Sequence, residues 1–305
     1  MNRDENPLVI VNSVSEIHRL LLMAPPMNPL ITLIDHSEVS DLAPNDAMTR
    51  MVLNFYQVCV KKDFKGQMKY GRNYYDFDKG TVTFSAPNQV IAINQGAERD
   101  RKGWSLMFHP DLIRNHPLGR AIKKYGFFGY EASEALHLSD EEEQLIAGLV
   151  ENINNECASR IDHYSADVIV SNLELLLNYC NRFYNRQFIT RKMANHDLLT
   201  KFENVLSKYF DEDGPLSLPT VKSLASELNV SSSYLSDMLR TITGQNTQQH
   251  IHEKLIEKAK VKLITTNLSV SEIAFMLGFE YPQSFNKLFK NKLKVSPLQY
   301  RQSSN

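Results

Sequence analysis

Two stretches in the last third of the chain carry nearly the same pattern, and this repeat constrains the fold more than any other feature. Residues 221–230 read VKSLASELNV and residues 270–279 read VSEIAFMLGF. In both, apolar residues recur three and four positions apart, which is the spacing of one face of a helix. A second helical stretch follows each, at residues 234–240 and 284–290. The first stretches match at an offset of 49 residues and the second at 50, so the second copy has one extra residue in its turn.

A helix, a tight turn and a second helix with a polar outer face form the helix-turn-helix plan. The second helix of such a unit enters the major groove of DNA. Two units in tandem are much harder to obtain by chance than one. The repeat therefore predicts an all-α C-terminal domain with two helix-turn-helix motifs and double-stranded DNA as its partner.

The charge distribution supports the same interpretation. The whole chain has a formal net charge of −1, but residues 218–301 contain 11 Lys and Arg against 6 Asp and Glu. That segment therefore carries +5 and the remainder carries −6. Such asymmetry indicates a polyanionic partner for the C-terminal third alone, although a solvated basic face would give the same count.

Length and composition describe a globular protein with room for two domains. The chain has 305 residues, of which 42% are apolar and 23% charged. No apolar run approaches the ~20 residues that span a bilayer, so we expect no membrane partner. The first residues lack the features of a secretory signal. Three well-separated cysteines, Cys59, Cys157 and Cys180, favour reduced thiols and a cytoplasmic protein.

The N-terminal half combines strand signals with later helices. Residues 31–34, 51–60, 80–85 and 104–108 are rich in β-branched and aromatic side chains, and turn-forming clusters separate them. Many short strands without long helices between them predict an antiparallel β-barrel of the jelly-roll type. A short helix is expected at residues 13–23, with Ser13 as its N-cap. The predicted fold is thus multidomain α+β.

Helices follow the strands. Ser139 and Glu142 have the spacing of a capping box, which begins a helix at the boundary that we place after residue 138. A second long helix is predicted over residues 165–185, with Ile169, Leu173, Leu176, Cys180 and Phe183 in a coiled-coil-like seam. The seam is compatible with packing against the chain's own barrel or with a subunit interface. We divide the chain into residues 1–138, a helical dimerisation or linker region 139–196, and a DNA-binding domain 197–305.

Within each motif, the outward side chains of the second helix are the candidate DNA contacts. In the first motif these are Ser232, Ser233, Ser236, Asp237 and Arg240. In the second they are Tyr281, Gln283, Ser284, Asn286, Lys287 and Lys290. The side chains of Leu235, Met238, Leu239, Phe285 and Phe289 are expected in the core.

Roles follow from what each side chain can donate or accept. Gln283 suits adenine and Lys287 suits guanine, so these two are the expected main base contacts. Lys290, Arg240 and Lys292 are expected on phosphates. Asp237 either accepts a hydrogen bond from cytosine or lies outside the groove. A helix over residues 247–265 would hold both motifs on one side of the duplex, which predicts a bipartite site in successive major grooves.

Catalytic and metal-binding patterns are weak. The His-x-His pair His250 and His252 falls on the predicted connecting helix, where the two rings point to different faces. His36, His109 and His116 do not form the ligand pattern of a barrel metal site. We therefore expect no enzyme activity, metal or cofactor. A small-molecule pocket in the barrel remains a candidate. Its expected lining is aromatic: Tyr56, Tyr70, Tyr74, Phe84 and Trp104.

The C-terminal residues resemble those of the AraC-type (arabinose-regulator-like) transcription factors over residues 200–301. In the second motif the matching residues are Ile273-Ala274, Leu277-Gly278-Phe279, Ser284-Phe285, Phe289-Lys290, Ser296-Pro297 and Tyr300-Arg301. In the first they are Leu224-Ala225, Ser233-Tyr234-Leu235 and Gly244. Residues 75–77, 86–89, 104–112 and 116–118 resemble parts of the cupin-like domains of such proteins. Lys294 stands where the family usually has glycine at a helix C-cap, and Leu255 where it usually has arginine.

The resemblance implies a promoter-binding transcriptional regulator. It implies an N-terminal cupin-like domain that senses a small-molecule effector, a homodimer, and RNA polymerase as a further candidate partner. The alternative is a barrel that serves only dimerisation or protein contacts and binds no ligand.

Overall fold

The computed structural model divides into two compact units, Met1–Gln187 and Phe188–Asn305. We call them the N-terminal unit and the C-terminal unit. The residues described are 8–39, 49–61, 68–70, 73–75, 80–93, 102–160, 162–190, 192–211 and 218–303. None of the helices among these residues is long and apolar enough to cross a membrane.

Strands, short helices and two long helices build the N-terminal unit. The strands are β1 (Leu8–Val11), β2 (Ile31–Asp35), β3 (Thr49–Leu53), β4 (Tyr56–Lys61), β5 (Met68–Tyr70), β6 (Asn73–Tyr75), β7 (Thr81–Ser85), β8 (Gln89–Ile93), β9 (Gly103–Phe108) and β10 (Leu136–His137). The helices are α1 (Val14–Leu20), α2 (Pro110–Ile113), α3 (Pro117–Ala121), α4 (Asp140–Ala158) and α5 (Ser165–Thr190). Single 3₁₀ turns lie at Ile122–Lys124, Gly126–Gly129 and Ala132–Glu134.

The described strands form three sheets, with the orders β1-β3-β8, β10-β7-β4-β9-β2 and β5-β6. In the five-stranded sheet β4 runs antiparallel to both neighbours, so that Val58 lies opposite Phe84 and Leu106. Hydrogen bonds do not join the sheets into a closed barrel within the described residues, and the predicted barrel is therefore not confirmed. The mixed α+β class is confirmed.

One predicted strand is wrong in its extent. The apolar run at residues 51–60 is divided into β3 and β4, which belong to different sheets. Asn54 and Phe55 lie between the two strands, and the side chain of Phe55 is fully buried. A buried aromatic residue at the bend keeps the run apolar, so hydrophobicity alone does not reveal where the chain changes sheet.

A shared core joins the first two sheets. Met51 and Leu53 of β3 belong to the same buried cluster as Ile34 of β2 and Met107 of β9, with Phe55 among them. Helix α1 closes this cluster through Val14 and Ile17. It begins at its predicted cap, because the Ser13 hydroxyl accepts a hydrogen bond from the Glu16 N–H.

Polar contacts fix helices α4 and α5 to the strands. Ser139 and Glu142 form the predicted capping box at the start of α4. The Glu142 carboxylate also accepts from Arg186 of α5, at 3.0 Å from Nε and 2.6 Å from Nη2. Arg186 donates in addition to the His137 carbonyl of β10. Helix α5 is thus bound to both α4 and β10.

The predicted seam of α5 is buried inside the single chain. Its five residues, Ile169, Leu173, Leu176, Cys180 and Phe183, have exposed fractions between 0% and 6%. This face of α5 therefore packs in the interior of the single chain. A different α5 face carries the exposed apolar side chains of Val168 and Leu175, and Tyr164, just before the helix, is exposed as well.

All secondary-structure elements among the described residues of the C-terminal unit are helices. Its helices are α6 (Lys192–Asp211), α7 (Val221–Glu227), α8 (Ser232–Thr243), α9 (Thr247–Thr265), α10 (Val270–Met276), α11 (Pro282–Leu293) and α12 (Pro297–Ser303). The predicted connecting helix corresponds to α9. Leu255, on α9, is buried, as expected for an apolar residue in place of the family's arginine.

Candidate nucleic-acid interface

The two predicted motifs have the same helix lengths. Helices α7 and α10 each contain seven residues, and α8 and α11 each contain 12. Ala225 and Ala274 occupy matching positions and are both buried. The helical domain with two helix-turn-helix motifs, which the repeat predicts, is confirmed.

The turns after α7 and α10 are closed by the same hydrogen bonds. Asn229 and Gly278 adopt left-handed conformations, with φ of 56° and 85°. The N–H of Val230 then donates to the Ala225 carbonyl, and the N–H of Phe279 to the Ala274 carbonyl, both at 3.0 Å. This pattern is the Schellman motif, which ends a helix and reverses the chain. Glu280 supplies the extra residue of the second turn.

Caps define the ends of α8 and α11. Ser231 accepts a hydrogen bond from the Tyr234 N–H at the start of α8, whereas α11 begins with Pro282 after Tyr281. Gly244 and Lys294 end the two helices in left-handed conformations. The Lys294 N–H donates to the Lys290 carbonyl at 2.8 Å, so the C-cap forms although lysine replaces the family's glycine.

The repeat continues into the third helix of each motif, which the periodicity of apolar residues did not predict. Asn246 and Gln249 form a capping box at the start of α9. Ser296 and Gln299 exchange the same two hydrogen bonds at the start of α12, 50 residues later. The spacing of a capping-box residue and a glutamine three positions on, present in both copies, is the signal that could have revealed it.

Apolar side chains fix the orientation of both second helices. Leu235, Met238 and Leu239 of α8 are buried, and so are Phe285 and Phe289 of α11, as predicted. The opposite faces are consequently turned outward. This arrangement leaves the polar residues of α8 and α11 available to a ligand.

The outward face of α8 is neutral and only partly exposed. Ser232, Ser233 and Ser236 are half-buried. The hydroxyl oxygens of Ser236 and Thr247 lie 3.0 Å apart. Arg240 Nη1 lies 2.7 Å from Asp237 Oδ1, so the only two charged side chains of this helix form an ion pair.

The outward face of α11 is more exposed and positively charged. Its predicted contact residues, Tyr281, Gln283, Ser284, Asn286, Lys287 and Lys290, are all exposed. The helix has three lysines and no acidic residue. It ends near His252 of α9, whose pKa is lowered by burial and further by the positive charge of Lys292. Lysine and amide side chains can donate to base edges and to phosphates.

The predicted aromatic pocket is only partly brought together. Tyr56 and Phe84 both contact Phe128, at ring-centroid distances of 4.9 Å and 5.8 Å. Tyr56 also stacks on Phe108 at 5.1 Å. Trp104 lies on β9, opposite Val60. Tyr70 and Tyr74 lie on β5 and β6, but their side chains are outside the described part of the chain.

The N-terminal unit has a cleft away from the predicted aromatic pocket. A cleft of about 470 Å³ lies between the segment after α1, strand β2 and helix α4. Residues that line it include His18, Met23, Met27, Thr32, Asn154 and Cys157. The two ring nitrogens of His18 lie 2.6 Å from the Ala24 carbonyl oxygen and 2.7 Å from the Thr32 hydroxyl. Burial raises the pKa of the Cys157 thiol to about 11, which keeps it protonated.

The histidines considered as metal ligands have structural contacts. The ring of His109 accepts from the Asp111 N–H and caps α2. His36 lies 2.8 Å from the Ser105 hydroxyl, and His116 lies 3.4 Å from a carboxylate oxygen of Asp167. Each ring therefore contacts a different partner.

Comparison with known proteins agrees with this geometry. A family model described as "Helix-turn-helix domain" matches residues 224–303. The raffinose operon transcriptional regulatory protein RafR of Pediococcus pentosaceus is 37% identical over 84 residues, which are 28% of this chain and 30% of that protein. The regulatory protein SoxS of Salmonella typhimurium is 33% identical over 98 residues, which are 32% of this chain and 89% of SoxS.

A third relative reaches into the N-terminal unit. The HTH-type transcriptional regulator YfiF of Bacillus subtilis is 24% identical over 255 residues, which are 81% of this chain and 77% of that protein. Together with the paired motifs, the match to nearly the whole of SoxS shows the family. The chain belongs to the AraC-type family of helix-turn-helix transcriptional regulators.

Proposed function

We propose that this regulator binds promoter DNA sequence-specifically at a bipartite site. The observation that carries the proposal is the pair of helix-turn-helix motifs with equal helix lengths, equivalent turns and outward polar faces. Helices α8 and α11 would enter successive major grooves about 10 bp apart. Gln283 and Lys287 are the main base contacts, and Lys290 and Lys292 contact phosphates.

Selection from a random duplex library tests this proposal. The purified full-length chain is used to enrich bound duplexes, and the enriched sequences are then footprinted. Two protected segments about one helical turn apart are expected. Affinity should fall steeply with salt, because each phosphate contact releases counterions. Enrichment of no sequence over random competitor would rule out sequence-specific binding.

We propose that the N-terminal unit is a cupin-like sensor of a small-molecule effector. The shared core of the two larger sheets supports a sandwich of this kind, and the cleft of about 470 Å³ has the size of a small-ligand site. In this proposal residues 1–138 sense the effector, residues 139–196 dimerise the chain, and residues 197–305 bind DNA. The protein acts in the cytoplasm as a homodimer and contacts RNA polymerase at the promoter.

The alternative is an N-terminal unit that pairs subunits or contacts proteins and binds no ligand. Two observations favour it. The rings of Tyr56 and Phe84 are engaged in packing, and α5 exposes the apolar side chains of Val168 and Leu175. A thermal-shift panel of metabolites separates the two. The free energy of unfolding of a sensor should increase by about 2.7 kcal/mol at a ligand concentration 100 times the dissociation constant. A chain that stays dimeric and shows no shift with any metabolite supports the alternative.

A further inference from the structure

Asp237 and Lys287 occupy the same place in the two motifs. Each is the sixth residue of a 12-residue helix, and Arg240 and Lys290 are the ninth residues of the same helices. The first motif therefore has an acid followed by a base one turn later, whereas the second has two bases. Because the helix lengths and the C-cap conformations match, this difference lies in the outward side chains rather than in the backbone of the helices.

The acid in α8 is paired. Arg240 Nη1 donates to Asp237 Oδ1 at 2.7 Å, with 56% of the arginine side chain and 27% of the aspartate side chain exposed. Exposed ion pairs contribute little to stability, so folding alone does not explain an acid on this face. A guanidinium has five N–H donors, and the bond to one carboxylate oxygen uses one of them.

The direction of the pair matters for DNA. In a recognition helix the N-terminal residues contact base edges, and later positions contact the phosphate backbone. Asp237 lies one turn N-terminal to Arg240 and draws the guanidinium back toward that base-reading end. In α11 the equivalent residue, Lys287, has the same charge as Lys290 and repels it. The ninth residue of the helix is thus paired with an acid on its own helix in the first motif, whereas in the second motif the equivalent neighbour is a base.

We propose that Asp237 is a positioning residue that turns Arg240 from a phosphate contact into a guanine contact in the half-site of the first motif. The proposal rests on the proposed DNA-binding function. A guanidinium held in one orientation matches the two acceptors of guanine, O6 and N7. The first motif then reads a guanine through a pair without net charge. The second motif reads bases through Gln283 and Lys287 and adds positive charge through Lys290 and Lys292.

The test compares variants of the full-length chain on duplexes selected by the wild-type chain. Binding is measured by fluorescence anisotropy on the selected duplex, on duplexes with each single base pair changed, and on a scrambled duplex. The variants are Asp237→Ala, Asp237→Asn, Arg240→Ala and the double variant Asp237→Ala/Arg240→Ala. Lys290→Ala is the control at the equivalent position of the second motif. Circular dichroism confirms folding, and Asp237→Asn preserves the shape of the side chain if Asp237→Ala does not fold.

Three results are expected. Asp237→Ala and Arg240→Ala each reduce discrimination at one guanine of the first half-site by about tenfold or more. The double variant is no worse than Arg240→Ala alone, within about twofold, because the two side chains act as a unit. Lys290→Ala weakens binding to every duplex and reduces the salt dependence, without changing discrimination at any base pair.

Other outcomes overturn the proposal. If Asp237→Ala tightens binding to all duplexes equally, the aspartate only repels phosphates. If Asp237→Ala has no effect, or if Arg240→Ala behaves like Lys290→Ala, Arg240 is a phosphate contact that Asp237 does not position. A wild-type chain that prefers no duplex would instead contradict the proposed function, so the two failures are distinguishable.

Discussion

Gly244 and Lys294 end α8 and α11 in the same left-handed conformation, with φ of 79° and 64°. In both cases the cap N–H donates to the carbonyl of the residue four positions earlier. Glycine adopts this conformation without steric cost, whereas a residue with a Cβ does not. The second motif therefore carries backbone strain at a position where the first carries none.

Replacing Lys294 by glycine should stabilise the protein. We expect a gain of about 0.5–1 kcal/mol in the free energy of unfolding, because relief of the left-handed strain exceeds the extra freedom of the unfolded chain. Urea denaturation of the full-length chain measures this. Gly244→Ala is the matched control and should destabilise by about 1 kcal/mol. A Cβ on Gly244 would meet no atom within 4 Å, so its cost is conformational. Destabilisation by Lys294→Gly would show that the lysine side chain stabilises the cap.

Removal of the Lys287 side chain and removal of the Lys290 side chain should affect DNA binding differently. Lys287→Ala is expected to cost about 1–3 kcal/mol on the selected duplex and to relax specificity at one base pair. Lys290→Ala should weaken binding to all duplexes about equally, because phosphates are the same in every sequence. Titrations of matched and single-mismatch duplexes at two salt concentrations measure both effects. Lys123→Ala removes an equal charge from an exposed position of the N-terminal unit and serves as the control. Equal loss of specificity in both lysine variants would contradict the assigned roles.

Acidification should destabilise the C-terminal unit through His252. Burial and the charge of Lys292 lower the pKa of His252 below its ordinary value of 6.5. Since the folded pKa is depressed, the unfolded chain binds the proton more readily, and stability falls as pH decreases from about 6.5 through the folded pKa. Urea midpoints at pH 7.5 and 5.5 should therefore differ less in His252→Gln. The exposed His196, replaced in the same way, is the control in the same unit. An unchanged pH dependence in His252→Gln would assign the effect to other groups.

The Arg186 side chain should stabilise the N-terminal unit. It joins the Glu142 carboxylate to the His137 carbonyl, and Glu142 is only 16% exposed. Arg186→Ala removes charge-assisted hydrogen bonds and should cost about 1.5–3 kcal/mol. Thermal unfolding of the full-length chain reports the loss. Arg182→Ala, at an exposed position one turn earlier on α5, should change little. Equal effects of the two variants would mean that the Glu142 contact contributes nothing.

The sequence predicted the C-terminal unit better than the N-terminal one for a physical reason. Helices α7 to α11 are set by local periodicity and caps, which lie within a few residues of each other. Strand pairing depends on distant residues, so the apolar run through Phe55 gave no sign of the change of sheet. The aromatic side chains of Tyr56 and Phe84 illustrate the same limit, since composition did not show that their partners are Phe108 and Phe127.

Residue spacing predicted which side chains of the site are buried, but it did not predict how the outward side chains pair. Burial of Leu235 and Phe285 followed from spacing alone, and it determined which residues face outward. The pairing of Asp237 with Arg240 did not follow, because both an ion pair and a separate phosphate contact fit the same spacing. The left-handed conformation of Lys294 did not follow from its own side chain, because lysine disfavours it, and only the family's usual glycine at this position indicated it.

Matching C-caps and helix lengths have a consequence for how the DNA specificity of such a regulator evolves. The interior of each copy is built from one set of side chains and its exterior from another, so substitutions on the exterior leave the scaffold intact. One copy can acquire a new DNA preference while the other retains the old one. Binding specificity can therefore evolve one half at a time, and a promoter need never pass through a stage in which neither half is recognised.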